Sequence, residues 1–217
     1  MNIEQARFNM IEQQIRPWDV LNLGVLELLA VVKREDFVPP QHRALAFVDT
    51  EVPLSNGQCM LAPKIEARLL QELDVHRHER VLEIGAGSGY MAALLAHKAQ
   101  QVTTLEIDPE LAAFATANLR RAGVSNVTVV TADGSGGLTG DGPFDVILLS
   151  GSVAEVPQAL LSQLKVGGRL AAIVGNEPVM RAVLITRTAD QGLERRVLFD
   201  TVAQRLRGFP EPTRFHF

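Results

Sequence analysis

The stretch "VLEIGAGSGY", residues 81–90, places glycines at 85, 87 and 89 directly after an apolar run and directly before a segment of helical character. Glycine lacks the Cβ that forbids positive φ, so such a loop turns sharply and brings its backbone close to a ligand. The helix start behind it offers unpaired N–H groups. That is the chemistry of cradling a nucleotide-like cofactor. The spacing separates two kinds. Dinucleotide sites read GxGxxG, whereas this loop reads GxGxG and puts Tyr90 where the last glycine would stand, which disfavours NAD.

Two carboxylates follow at comparable places. "QVTTLEI" (101–107) ends on Glu106 and Ile107, and the acid carries two acceptor oxygens that suit the two hydroxyls of a ribose. That role is shared by NAD and S-adenosylmethionine sites. "TADG" then puts Asp133 and Gly134 at the end of a third apolar run, where the acid can accept from an adenine amino group. Other reactive types carry less. Cys59 has no histidine near it in sequence and reads as a small packing residue rather than a nucleophile. His76 and His78, in "HRHE", read as surface side chains, since no further ligands accompany them.

The elements that must position these residues fall into two styles that meet near residue 79. Before it, apolar residues recur at helical spacing: Phe8, Ile11 and Ile15, then Val25, Leu28, Leu29 and Val32 in a segment that Asp19 can cap. "DFVPP" (36–40) interrupts, and "PKIEARLLQEL" resumes with Pro63 in its first turn and Ile65, Leu69 and Leu73 on one face. Trp18 reads as a core or lid anchor.

After residue 79, "RVLEI" (80–84), "QVTTLEI", "NVTVVTA" (126–132), "FDVILLS" (144–150) and "GRLAAIVG" (168–175) read as strands buried on both faces. "GYMAALLAHKA", "DPELAAFATANLRRAG" and "EVPQALLSQL" read as helices between them, which implies parallel pairing with right-handed crossovers. "VMRAVLITRT" and "LERRVLFDTV" are joined only by "ADQG", too short for a crossover helix, and so predict an antiparallel hairpin. The expected fold is α/β: a Rossmann-like doubly wound, mostly parallel seven-stranded sheet with that C-terminal hairpin and a helical N-terminal extension. It divides into a helical region, 1–78, and a cofactor-binding core, 79–217, within one compact domain.

Composition bounds the function. A chain of 217 residues, 47% hydrophobic, buries one substantial core, and a formal charge of -4 argues against a broad phosphate-binding surface, so no nucleic-acid partner is expected. A local basic patch runs through Arg181, Arg187, Arg195, Arg196, Arg205, Arg207 and Arg214 and reads as a solvated face. The single cysteine rules out an internal disulfide and favours a reducing compartment. No stretch approaches the roughly 18 apolar residues of a spanning helix, so a cytoplasmic protein without membrane contact is expected.

Residues 79–175 together resemble the S-adenosylmethionine-dependent methyltransferase fold. The tetrapeptide after the fourth strand, "SGSV" (150–153), lacks the Asn/Asp-Pro-Pro-Tyr pattern of nucleobase amine methylation. Ser150 and Ser152 also lack the neighbouring carboxylates of a divalent cation site, and no metal is expected. Upstream, "MIEQQI", "VLELLAVVKREDFVPP" and "AFVDTEVPLSNGQCMLAPKIEARLLQEL" precede the glycine loop, and "PFDVI" (143–147), Pro157, "QL" (163–164) and "GGRL" (167–170) follow it. From Met10 to Gly175 the chain resembles the protein-L-isoaspartate O-methyltransferases, which implies esterification of an isoaspartyl carboxylate in a protein or peptide with S-adenosylmethionine as donor.

The resemblance implies a cofactor set of Gln58, Cys59, Glu83, Gly85, Ala86, Gly87, Ser88, Gly89, Glu106, Ile107, Asp133 and Gly134. It also marks a departure. Where family members read Gly-Gln-Thr-Ile-Ser-Xaa-Pro, this chain keeps Gly57, Gln58 and Pro63 but has Cys59, Met60 and, at the serine assigned to the reacting carboxylate, Leu61. An apolar side chain cannot hydrogen-bond a carboxylate. Ser150 or Ser152 is the candidate replacement hydroxyl. A different methyl acceptor, or a silent cofactor-binding protein, are the alternatives. Oligomeric state is not legible.

Overall fold

Neighbouring residues of a strand face opposite sides of a sheet, so a sheet covered on both sides needs apolar side chains at nearly every position. The computed structural model, which describes residues 2–189 and 192–211, follows that rule in its central strands; the edge strands do not, and "NVTVVTA", expected to be buried on both faces, has no buried residue over Val127–Thr131 because it has a strand neighbour on one side only. β3 (Arg80–Ile84), β4 (Gln101–Glu106), β5 (Val127–Thr131), β6 (Phe144–Val153) and β7 (Leu164–Asn176) lie parallel in one seven-stranded sheet. β8 (Val179–Arg187) runs antiparallel to both β7 and β9 (Leu193–Thr201), giving the order β5-β4-β3-β6-β7-β8-β9. The hairpin β8–β9 is present as the sequence predicts; Asp190 and Gln191 of its "ADQG" connection, and Arg214 of the basic patch, lie outside the described residues.

The strand alternation sends Val81, Val102, Val146, Leu148 and Ala171 to one face, where they pack in a single core with Met10, Ile15, Leu29, Leu69, Leu73 and Leu94 of the helices. Leu82, Ile84, Leu105, Ile147, Leu149 and Leu170 point to the other face, under Leu160, Leu161 and Phe209. Helices α4 (Tyr90–Lys98) and α5 (Pro109–Arg121) connect β3, β4 and β5 in turn. Asp108 caps α5 by accepting from the N–H of Glu110 and Leu111, with Pro109 in the first turn. The third crossover is shorter than expected. Because β6 runs on to Val153 and β7 begins at Leu164, α6 is limited to Gln158–Leu161.

The N-terminal region is helical, with three differences in detail. α1 (Ile3–Met10) passes into a π-turn at Ile11–Ile15, whose wider pitch rotates the apolar face, so Met10, Ile11 and Ile15 are buried while Phe8 is 58% exposed. α2 (Leu23–Val31) is capped by Asn22, whose Oδ1 accepts from Val25 N–H; Asp19 instead adopts a left-handed turn at φ 58°. Trp18 is at the surface, its edge on Phe199 and its face under the Lys64 ammonium at 4.1 Å.

A short hairpin, β1 (Val52–Pro53) with β2 (Cys59–Met60), leads into α3 (Pro63–Leu73) and carries the 54–58 loop towards the glycine loop. Arg34, fully buried, anchors this link. Its Nη2 donates to the Leu61 carbonyl at 2.6 Å, its Nε to Glu66 at 3.3 Å, and its guanidinium lies 5.5 Å from the Tyr90 ring centre. A buried cation tolerates this only because each contact offsets lost hydration. The backbone at Leu61 is thereby pinned.

Candidate active site

At the carboxyl end of β3 the chain turns through Gly85, Gly87 and Gly89 at φ 93°, 52° and 82°. Gly87 turns its N–H onto Glu106 Oε2 at 2.8 Å, and the Asp108 N–H reaches Glu106 Oε1 at 3.1 Å, so the carboxylate at the end of β4 is held by two backbone donors. A crevice opens here, lined by Ile84, Gly85, Gly87, Leu105, Glu106 and Ile107, and by Ala132, Gly134 and Phe209. Apolar walls with one oriented acid are the usual make-up of a cofactor site.

Next to it lies a second, small pocket, walled by Met60, Leu61, Glu66, Glu83, Ala86, Ser88, Tyr90 and Met91. Cys59, Gly85, Gly87 and Ser150 line both. Ser150 is half-buried and donates to Glu83 Oε1 at 2.7 Å, while Thr104 donates to Glu83 Oε2 at 2.7 Å. Burial pushes the Glu83 carboxyl up to about 7, partly opposed by those two hydroxyls, and burial pushes Glu66 up to about 7 against the pull of Arg34. Near neutral pH these carboxyls therefore carry less negative charge into the pocket than free acids would. The Tyr90 hydroxyl is buried there without a hydrogen-bond partner.

A raised carboxyl pKa has a signed consequence for stability. Glu83 favours the fold fully below its ordinary value of 4.5, and that contribution is lost as pH rises through about 7. Glu83→Gln is therefore expected to flatten the fall in stability between about pH 5 and 7, with the remaining slope carried by Glu66. Urea midpoints at several pH values across that window measure it. A slope identical to wild type would show that Glu83 is not protonated in the folded protein.

The structure gathers most of the sequence-derived residues around these two pockets. Gln58, Cys59, Gly85, Gly87, Glu106, Ile107, Gly134 and Ser150 line the crevice; Leu61, Glu83, Ala86 and Ser88 line the second pocket. Three stand elsewhere. Gly89 caps α4 and packs against Ala115 of α5. Asp133 is exposed at the rim, its Oδ1 accepting from Ser135 N–H at 2.8 Å. Ser152 corrects an expectation: it is fully buried, and its hydroxyl donates to the Ala203 carbonyl at 2.7 Å, so it has no path to a substrate. A regular strand would put these two serines on one face, but the β6–β7 pairing shifts register between Leu148 and Ser152, and Ser150 lines the pockets. Cys59 is no nucleophile, since burial, with Glu51 adding to it, pushes its thiol up to about 12.

Several lining residues carried no signal as site residues in the sequence. Ile84 and Leu105 precede the chosen residues on their strands and were findable from strand ends alone. Glu66 faces the pocket from the first turn of α3. Leu206, Arg207 and Phe209 reach the crevice from the far end of the chain, and only the density of arginines there marked the segment. Among the described residues, no group of three or more His, Cys, Asp or Glu is placed to hold a metal ion, and no helix is long and apolar enough to cross a membrane.

The arrangement fits S-adenosylmethionine. Apolar walls at Ile84, Leu105 and Leu111 suit a purine, Glu106 a ribose, and the glycine backbone with the second pocket a short zwitterionic chain.

Comparison with known proteins agrees. A family model described as Protein-L-isoaspartate(D-aspartate) O-methyltransferase matches residues 6–203. The chain is 40% identical over 194 residues to a protein-L-isoaspartate O-methyltransferase of Koribacter versatilis, covering 89% of this chain and 87% of that one. It is 42% identical over 195 residues to protein-L-isoaspartate O-methyltransferase 2 of Marinobacter nauticus, with 89% of each covered. In fold it superposes with a TM-score of 0.81 and 22% identity on a Plasmodium falciparum protein-L-isoaspartate O-methyltransferase crystallised with S-adenosyl-L-homocysteine, over 95% of this chain and 99% of that one. With the match running from α1 to the end of the sheet through both pockets, the chain belongs to the protein-L-isoaspartate(D-aspartate) O-methyltransferase family.

Proposed function

We propose that this protein methylates the free carboxylate of isoaspartyl residues in proteins and peptides, with S-adenosylmethionine as donor. The observation that carries the reading is the family match over residues 6–203, which takes in the glycine loop, Glu106 and the second pocket. The donor supplies a methyl carbon already activated by its sulfonium. What this chain must add is alignment, since in-line displacement depends on holding the reacting atoms close and collinear. Glu106 and the Gly85–Gly89 backbone fix the donor end. An isoaspartyl carboxylate is ionised near neutral pH, so no general base is needed.

The acceptor end differs from the family pattern. Leu61, 6% exposed, puts methyl groups where the hydroxyl would stand. The hydroxyl nearest to that role is Ser150, which opens to both pockets and rests on Glu83. By rotating off Glu83 it can donate to an incoming carboxylate, while the raised pKa of Glu83 keeps repulsion low. Leu61 also supports a second reading, the same donor with a less anionic acceptor. The single cysteine, Cys59, which is free, favours the cytoplasm, and the net charge of -4 disfavours a nucleic-acid acceptor.

Incubation with methyl-labelled donor and an isoaspartyl peptide, beside its aspartyl twin, tests the first reading. Base-labile label confined to the isoaspartyl peptide is the expected result. Donor binding with transfer to neither peptide would sink it and leave the second.

A further inference from the structure

The match to the family stops at residue 203, yet three of the next six residues, Leu206, Arg207 and Phe209, wall the crevice. Ala203 to Phe209 form a strap across the ends of β6 and β3. Ser152 binds it on both sides: its N–H donates to the Gln204 carbonyl at 2.8 Å, and its carbonyl accepts from the Leu206 N–H at 2.9 Å. Arg205 ties the same segment to the end of β7 through the Gly175 carbonyl at 3.0 Å and Asn176 Oδ1 at 2.7 Å. Leu206 sits so close over Gly85 and Gly151 that a Cβ at either would lie 2.7 or 2.8 Å from it.

Arg207 then bridges the mouth. Its Nη1 reaches Asp108 Oδ2 at 3.3 Å and its Nη2 donates to the Asn56 carbonyl; with the Gln58 amide turned over, which its surroundings favour, the Gln58 oxygen accepts from Nε and Nη2 at 3.0 and 3.1 Å. One guanidinium thus joins the strap, the 54–58 loop and the β4–α5 turn, the three segments that surround the crevice rim. Asn56 Nδ2 completes the ring by donating to Asp108 Oδ2 at 2.8 Å. A planar fork is suited to this, because it satisfies several acceptors in fixed directions at once.

We infer that the strap Ala203–Phe209 is the gate of the donor crevice and that Arg207 is the positioning residue that latches it over bound donor. The inference rests on the crevice being the donor site. With the latch made, Leu206, Arg207 and Phe209 stand between the crevice and solvent; a donor exchanges only when the guanidinium lets go. The latch therefore governs how long the donor stays, and it works through the rim segments rather than on the reacting atoms.

The test uses the full chain and S-adenosylhomocysteine as probe, with dissociation followed by stopped flow and strap amides by hydrogen exchange. Wild type is expected to protect the Leu206 amide further when the probe binds. Arg207→Ala is expected to release the probe about tenfold faster or more, since changes at a binding surface fall mainly on the off-rate. Arg207→Lys, which keeps the charge towards Asp108 but not the fork, should fall between. A merely structural arginine would lower the unfolding midpoint and leave the release rate alone. Release from Arg207→Ala at the wild-type rate overturns the latch while the donor assignment stands. Failure of wild type to bind the probe overturns the donor assignment and the latch with it.

Discussion

A Gly87→Val variant is expected to lose donor affinity by a factor on the order of 100 to 1,000. Two effects add. Gly87 stands at φ 52°, a left-handed conformation that costs an L-residue about 1–2 kcal/mol and a β-branched one more. Valine keeps the backbone N–H that donates to Glu106, but a backbone that relaxes from this φ turns it away, and losing a hydrogen bond to a charged group costs about 1.5–3 kcal/mol. At about 1.4 kcal/mol per tenfold, the sum reaches that range. Gly123→Val is the control, because Gly123 shares the positive φ, at 70°, but a Cβ there meets open space beyond the end of α5. Calorimetric titration with S-adenosylhomocysteine measures both. Wild-type affinity in Gly87→Val would remove the glycine loop from the site.

Leu61→Ser should act in the opposite direction, raising the rate of isoaspartyl methylation by about 10- to 100-fold. The estimate is the roughly 1–3 kcal/mol penalty of leaving a desolvated polar group without a partner, which the new hydroxyl removes. The position favours a clean exchange. The Leu61 carbonyl is held by Arg34, so the serine enters on an anchored backbone, facing the pocket that Glu83 and Ser150 also line. Removing a buried leucine carries a stability cost of about 2–5 kcal/mol, to be followed by urea unfolding beside the initial rates. If donor affinity persists and the rate does not rise, the acceptor of this enzyme does not call for a hydroxyl at 61, and the less anionic acceptor becomes the better account.

The sheet was legible because its central strands are buried on both faces and so read as apolar runs; β3, β4 and β8 begin at the residues that the pattern predicts. Local stereochemistry also made the cofactor loop legible, since positive φ at 85, 87 and 89 calls for glycine wherever the loop sits. Cap choice between Asp19 and Asn22 was not, because both are good caps and the winner is decided by where the preceding turn ends. Nor was the exposure of Phe8, since one π-turn redirects the face of a helix whose spacing is otherwise regular.

Residue types and spacing alone determined the α/β sheet and the glycine loop with Glu106 at the end of the next strand, each a property of a few neighbours along the chain, while the resemblance to the family marked the missing hydroxyl at Leu61. Tertiary structure alone decided that Ser150 faces the pockets while Ser152 is spent on Ala203, that Glu66 and Glu83 are buried carboxyls with raised pKa, and that Leu206 and Arg207 close over Gly85 and Asp108. The physical reason is range. Backbone conformation answers to nearby residues, whereas burial, pKa and partner choice depend on groups that meet only after segments far apart in sequence, such as 85 and 206, have packed together.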